Sequence, residues 1–115
     1  SQGVKPETFS IATVGAIKKI LKKTGLILSD IDLFEINEAF AASIISVMRE
    51  LSLDEERLNI HGGAIAIGHP IGASGARILT TLLYAMKRKK AKRGIAAICI
   101  GGGEALAMLV ERVEE

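Results

Sequence analysis

The sequence has a single cysteine, Cys99, so no disulfide bond can form within the chain. The lack of a disulfide framework fits a protein of a reducing compartment. The first residues, Ser1 to Pro6, have no apolar core of the kind that a signal peptide needs. No uncharged apolar run reaches the roughly 18 residues of a membrane-spanning helix. We therefore expect a cytoplasmic protein that has no membrane segment.

Aromatic residues are also scarce, at 3% of the 115 residues, and tryptophan is absent. Any core must therefore consist mainly of Ile, Leu, Val, Ala and Met side chains. Hydrophobic residues make up 49% of the chain and charged residues 24%, a balance typical of a folded domain rather than a disordered chain. At this length we expect residues 1–115 to form one compact domain or part of one.

The formal net charge is only +2, and the basic residues are concentrated in Lys18–Lys23 and Lys87–Arg93. Each stretch lies in or just after a predicted helix, where cations are favoured near the C-terminus. Both stretches lack the aromatic side chains on which nucleic-acid bases stack, so we expect no nucleic-acid partner. The alternative is that these cations attract an anionic small molecule.

The spacing of apolar residues predicts an α/β fold in which helices pack on a mixed sheet. The predicted elements, in chain order, are a loop over residues 1–9, a helix from Ser10 or Thr13 to Thr24, a strand Ile31–Ile36, a second helix beginning at Asn37, a third helix Ser74–Lys89, and two strands, Ile95–Ile100 and Ala105–Val113, joined as a hairpin by Gly101–Gly103. The predicted core face of the third helix consists of Ile78, Leu79, Leu82, Leu83 and Met86.

The apolar hairpin needs more strand partners than Ile31–Ile36 offers, so we expect the domain to lack its first strands. A missing N-terminal strand or another chain would then complete the sheet.

His69 lies in a glycine-rich apolar loop between Gly68 and Pro70, where the backbone is restricted. An imidazole titrates near neutral pH and can act as a base, an acid or an oxyanion donor. The alternative is a buried histidine whose ring is satisfied by a carbonyl group. The loop matches neither a P-loop nor the G-x-S-x-G pattern of hydrolases, so neither of those site types is supported.

Cys99 and Asn37 are the other candidates, and each ends a predicted strand, where active-site residues of α/β folds are commonly placed. The three glycines after Cys99 could direct backbone N–H groups at a developing negative charge. The alternatives are that Cys99 is a small core residue and that Asn37 only caps a helix. The spacing of His61, His69 and Cys99 matches no zinc pattern, so we expect no metal site.

Taken together, the three motifs resemble the C-terminal domain of the thiolases, which include acetyl-CoA acetyltransferases and 3-ketoacyl-CoA thiolases. The matching segments are Asn37–Ala41, His61–Arg77 and Cys99–Gly103. The resemblance implies acyl transfer between CoA thioesters without a further cofactor. It implies that His69 activates the nucleophile and helps to form an oxyanion hole, and that Cys99 exchanges the α-proton of the second substrate. It further implies that Asn37 holds a water of the first oxyanion hole, that the N–H of Gly101 serves the second, and that Phe40 lines the pantetheine channel.

One part of the family's active site has no counterpart in the sequence. The thiolase nucleophile is a cysteine of the N-terminal half, whereas the context of Cys99 matches the acid–base cysteine. We therefore expect the chain to be inactive alone and to need an N-terminal thiolase half or subunit. An open sheet edge recruits partners, so we also expect a dimer or higher assembly. The alternative function is that of a non-catalytic thiolase-like binding or scaffold subunit.

Overall fold

A computed structural model describes residues 6–37, 41–53, 55–58, 74–100 and 104–113. These ranges contain three α-helices and three strands, namely α1 (Pro6–Thr24), β1 (Leu33–Ile36), α2 (Ala41–Leu51), α3 (Ser74–Lys89), β2 (Arg93–Ile100) and β3 (Glu104–Glu111). Short 3-10 turns at Leu28–Asp30 and Glu55–Arg57 follow α1 and α2.

The three strands form one sheet in the order β1-β2-β3. β1 runs parallel to β2, with Leu33 opposite Gly94, and β2 runs antiparallel to β3, with Cys99 opposite Ala105. The predicted hairpin and the predicted mixed sheet are therefore confirmed. The outer edge of β1 is partly covered, since Phe34 forms a parallel bridge with Leu58.

Helices cover both faces of β1 and β2, and alternate residues of these strands enter two separate apolar clusters. The first cluster joins α1 and α2 to one face of the sheet through Val14, Ile17, Leu21, Phe34, Ile36, Val47, Leu51, Ile95 and Ala97. The second joins α3 to the opposite face through Leu33, Ile78, Leu82, Ala85, Met86 and Ala96. This arrangement confirms the predicted α/β class, and it explains why β1 is buried on both sides.

The helix ends agree with the sequence in two places and differ in two. The predicted start of the second helix at Asn37 is wrong, because the N–H of Asn37 still pairs with Ala97 of β2 and α2 begins at Ala41. α3 spans the predicted residues, and Gly25 ends α1 in the left-handed region, with a φ of 76°. The predicted loop over residues 1–9 is wrong from Pro6 onwards, because α1 begins there. Proline suits the first turn of a helix, since its φ is already helical and the N–H that it lacks would have no partner there.

One predicted core residue lies at the surface of this chain. Leu82 of α3 is fully buried, but Leu83 is 49% exposed. The apolar residues of α3 therefore cover a wider part of the helix surface than the part that packs on the sheet. Ile78 and Met86, also predicted for this face, are buried as expected.

Candidate active site

Asn37 lies immediately after β1, at the carboxyl end of the two parallel strands. Its backbone N–H donates to the carbonyl oxygen of Ala97 in β2 at 2.9 Å, which fixes the strand end. Its side chain is only 4% exposed. In open α/β sheets, ligands bind outside the carboxyl ends of parallel strands, so Asn37 occupies the position expected of a site residue.

The side-chain oxygen of Asn37 is buried and has no hydrogen-bond partner among the described residues. A buried acceptor without a partner costs roughly 1–3 kcal/mol, and such groups are uncommon in folded proteins. A bound water or a donor group of a ligand would satisfy this oxygen. Asn37 therefore has the burial that a residue holding a water or a substrate needs, and an acceptor that no described residue occupies.

Cys99 is close to Asn37 along the sheet. Its backbone belongs to β2, one residue before the strand ends at Ile100. It lies two residues beyond Ala97, or about 7 Å along the strand, given the usual rise per residue. The structure therefore brings Asn37 and the backbone of Cys99 to the same end of the sheet, as the sequence predicts.

The start of α3 lies at this end of the sheet as well. Gly75 and Ala76, in its first turn, line a groove together with Ile98 of β2. A helix N-terminus carries a partial positive charge, which favours a negative charge near it. His69 precedes Ser74 by five residues, and Gly101 follows Ile100 directly. His69, Gly101 and Phe40 all lie outside the described residues.

Glu35 is a buried polar residue that the sequence pattern does not single out as a site residue. It is 3% exposed, and it occupies the same face of β1 as Leu33, towards α3. Within the sequence it belongs to an alternation of acidic and apolar residues, a pattern typical of a strand with one solvated face. That signal misleads here, because helices cover both faces of β1.

The comparisons with known proteins agree with this geometry. A family model described as the C-terminal domain of thiolase matches residues 1–112. The chain belongs to the thiolase family. The fold agrees as well, since a crystal structure of the Bacillus anthracis acetyl-CoA acetyltransferase superposes with a TM-score of 0.86 at 45% identity. That thiolase structure covers 94% of this chain, while this chain covers 27% of it.

Curated thiolase relatives are more similar in sequence but much longer. The cytosolic acetyl-CoA acetyltransferase of Mus musculus is 54% identical over 96% of this chain, which spans 28% of the mouse protein. The acetyl-CoA acetyltransferase of Escherichia coli is 53% identical over 98% of this chain, which spans 29% of the bacterial protein. The resemblance to thiolases is thus confirmed, and the chain corresponds to less than a third of each relative.

Within the described ranges, no helix is both long and apolar enough to cross a membrane. The same ranges contain no group of three His, Cys, Asp or Glu side chains that could hold a metal ion. Because His61 and His69 lie outside these ranges, the expectation that the chain has no metal site stays a prediction.

Proposed function

We propose that this chain is the C-terminal part of a thiolase that transfers acyl groups between CoA thioesters, and that it supplies the acid–base and oxyanion-hole groups. The observation that carries the proposal is Asn37. A buried amide oxygen without a described partner lies at the carboxyl end of β1, in the segment of the chain that matches the thiolase motif. The names of the relatives support acetyl-CoA as a substrate, because those proteins are acetyl-CoA acetyltransferases.

In the proposed reaction, the remainder of the thiolase supplies the nucleophilic cysteine. His69 accepts the proton of that thiol, the thiolate attacks the acyl-CoA carbonyl carbon, and CoA leaves. Asn37 holds the water that stabilises the oxyanion. The departing CoA thiolate takes the proton of the Cys99 thiol, and Cys99, now a thiolate, takes the α-proton of a second acetyl-CoA. The resulting enolate attacks the enzyme-bound acyl group, and the nucleophilic cysteine leaves as a thiolate that regains its proton from His69. The N–H of Gly101 stabilises the charge on the enolate oxygen, and Phe40 contacts the pantetheine.

The same proposal covers the substrates, the partner and the location. The products are acetoacetyl-CoA or other 3-ketoacyl-CoA esters, or their thiolysis products in the reverse direction. CoA thioesters are substrates, and no other cofactor is required. The partner is an N-terminal thiolase half or subunit, and the assembled enzyme is a cytoplasmic homo-oligomer.

The test is to mix the purified chain with E. coli acetyl-CoA acetyltransferase from which the matching segment has been deleted. We expect no thiolysis of acetoacetyl-CoA by either piece alone and measurable thiolysis by the mixture. The activity should be lost with Cys99→Ser and with His69→Ala. Lys22→Ala, on the exposed end of α1, serves as a control that keeps the activity.

Two results would contradict the proposal. Thiolysis by the 115-residue chain alone, lost with His69→Ala, would show that no second part is needed. Tight association with the deleted enzyme but no turnover at any substrate concentration would instead favour the non-catalytic binding subunit. That alternative is consistent with the single cysteine of the chain.

A further inference from the structure

Glu35 is a buried carboxylate beside the proposed site, and the proposed reaction gives it no role. It is 3% exposed and occupies the same face of β1 as Leu33, towards α3. The described apolar cluster on that face consists of Leu33, Ile78, Leu82, Ala85, Met86, Ala91 and Ala96. An ionised carboxylate in apolar surroundings is costly unless charged or hydrogen-bonding groups compensate it. Groups that compensate the charge of Glu35 must therefore lie around this face.

Asn37 is the next residue of the chain on the same face. Side chains alternate along a strand, and the backbone N–H of Asn37 still donates to Ala97, so the alternation of β1 extends to Asn37. The Cα atoms of Glu35 and Asn37 are therefore about 7 Å apart, a separation that the two side chains can bridge. Asn37 is buried like Glu35, at 4% exposure. Glu35 thus lies beneath Asn37, on the side away from the carboxyl end of β1.

Small residues on the neighbouring elements leave room for this pair. Glu35 lies opposite Ala96 of β2, whose side chain is a single methyl group. Gly75 and Ala76, in the first turn of α3, line the same groove as Ala96. The carboxylate can therefore turn towards the amide of Asn37 without meeting a large side chain at these positions.

The amide of asparagine has two different ends, and a neighbour decides which end faces the site. Its NH2 group donates hydrogen bonds, whereas its oxygen accepts them. An ionised carboxylate only accepts, so Glu35 attracts the NH2 group of Asn37 and repels the oxygen. The structure agrees with this choice, since the oxygen of Asn37 has no partner among the described residues. That oxygen is then left to accept a hydrogen bond from the water of the proposed oxyanion hole.

We infer that Glu35 is a positioning residue of the proposed site: its buried carboxylate holds the NH2 group of Asn37, so that the oxygen of Asn37 faces the bound water. Glu35 acts through Asn37 and does not touch the substrate. The inference rests on the proposed function for the role of Asn37.

The first test follows the side-chain amide of Asn37 in the 115-residue chain, without any substrate. The sequence contains two asparagines, Asn37 and Asn59, so isotope-labelled asparagine gives two side-chain NH2 signals by NMR, which Asn59→Gln assigns. Glu35→Gln can present either end of its own amide, so it no longer selects one orientation of Asn37. The NH2 protons of Asn37 should then exchange with solvent at least tenfold faster.

The second test measures a catalytic effect that a structural role would not produce. The protein is E. coli acetyl-CoA acetyltransferase in which this chain replaces the matching segment, which we call the hybrid enzyme. Glu35→Gln should lower kcat for thiolysis of acetoacetyl-CoA at least tenfold and change KM less than twofold, because the oxyanion forms only after the substrate is bound. Glu35→Asp keeps the charge and should lose less than threefold in kcat.

Two further variants control for folding and for burial. Glu35→Met removes the charge but keeps an unbranched side chain of similar length, so it should give the same changes as Glu35→Gln and serves where that variant does not fold. Thr13 is a buried polar residue of α1, which packs on the opposite face of the sheet. Thr13→Val should leave kcat of the hybrid enzyme within twofold.

A double-mutant cycle separates positioning from any other use of Glu35. If Glu35 acts only through Asn37, Glu35→Gln should lower kcat no further in an Asn37→Ala background, because the group that it orients is gone. Equal losses in the two backgrounds would overturn the inference, since Glu35 would then act independently of Asn37.

The outcomes also separate this inference from the proposed function. Faster exchange of the Asn37 amide in the Glu35 variants, together with a hybrid enzyme that shows no thiolysis, supports positioning and contradicts the function. Thiolysis by the hybrid enzyme, with an Asn37 amide that exchanges equally fast with and without the carboxylate, contradicts positioning alone.

Discussion

At the scale of single residues, Gly94 leaves no room for a side chain. A Cβ at this position would lie 2.8 Å from the sulfur of Met86 and 2.9 Å from Cδ1 of Leu82, and both residues are buried. Replacing Gly94 with alanine should therefore force α3 away from β2. We expect Gly94→Ala to lower the free energy of unfolding by about 1–3 kcal/mol in urea titrations.

Gly15 provides the control for this prediction. It lies within α1 and is exposed, and a Cβ at this position would have no neighbour within 4 Å. Because glycine weakens a helix interior relative to alanine, Gly15→Ala should raise the free energy of unfolding by about 0.5–1 kcal/mol. Equal effects at Gly15 and Gly94 would contradict the packing argument.

Asn37 leads to a prediction about activity rather than stability. Its side-chain oxygen, which has no partner among the described residues, is the group that we assign to the bound water, while its backbone N–H holds the strand end. Asn37→Ala should therefore leave the β1–β2 pairing intact but lower kcat of the assembled enzyme by about a hundredfold, the usual effect of removing one oxyanion-hole donor. A kcat within threefold of the unchanged enzyme would contradict the assigned role. Ser29→Ala, at an exposed turn, is the control.

At the scale of elements, α3 has two adjacent leucines in opposite environments. Leu82 is fully buried between α3 and the sheet, whereas Leu83 is half-exposed. Leu82→Ala should lower the free energy of unfolding of the isolated chain by about 2–5 kcal/mol, since it leaves a cavity. Leu83→Ala should cost less than about 1 kcal/mol in the same urea titration. Similar losses at both positions would mean that another part of the chain covers Leu83.

The connection from α3 into β2 depends on Asp32, the residue immediately before β1. Its carboxylate accepts the N–H groups of Lys92 at 2.8 Å and of Arg93 at 3.1 Å. Asp32→Ala should lower the free energy of unfolding by about 1–2 kcal/mol. Asp32→Asn keeps an acceptor oxygen and should lose less. Glu111→Gln removes only the exposed ion pair with Arg93 and should change it by under about 0.5 kcal/mol.

The elements also show what the sequence could and could not predict. The bounds of α3 and the presence of the hairpin were predictable, since local periodicity and the glycine breaks determine them, whereas β2 begins at Arg93 instead of Ile95 and β3 ends at Glu111 instead of Val113. The start of α1 was not, because Pro6 is equally suited to a loop and to a first helical turn. The exposure of Leu83 was not, because periodicity identifies an apolar stripe but not the chain that covers it. For the site, the sequence placed Asn37 and Cys99 at strand ends, but it could not indicate that the oxygen of Asn37 lacks a described partner.

At the scale of the whole molecule, neither the proposed site nor the pairing of β3 is complete within the described residues. Under the proposed function, the nucleophile comes from the rest of a thiolase, and among the described strands β3 has β2 as its one neighbour. The chain spans 28% of the mouse relative, so the proposed reaction takes its remaining groups from the larger share of a thiolase.

The last prediction follows from the outer edge of β3, which pairs with no described strand, and from the apolar groove beside it, which the exposed side chains of Leu106 and Met108 line. Unpaired edges and apolar grooves associate with copies of themselves, so the chain alone should form dimers or higher assemblies. Light scattering should give a mass above the 12.2 kDa of one chain, rising with concentration. Met108→Lys should shift the mass towards the monomer, Ile27→Lys should not, and the deleted E. coli enzyme should compete with self-association. A monomer at every concentration would contradict this prediction, because the exposed edge would then be too weak to recruit a copy.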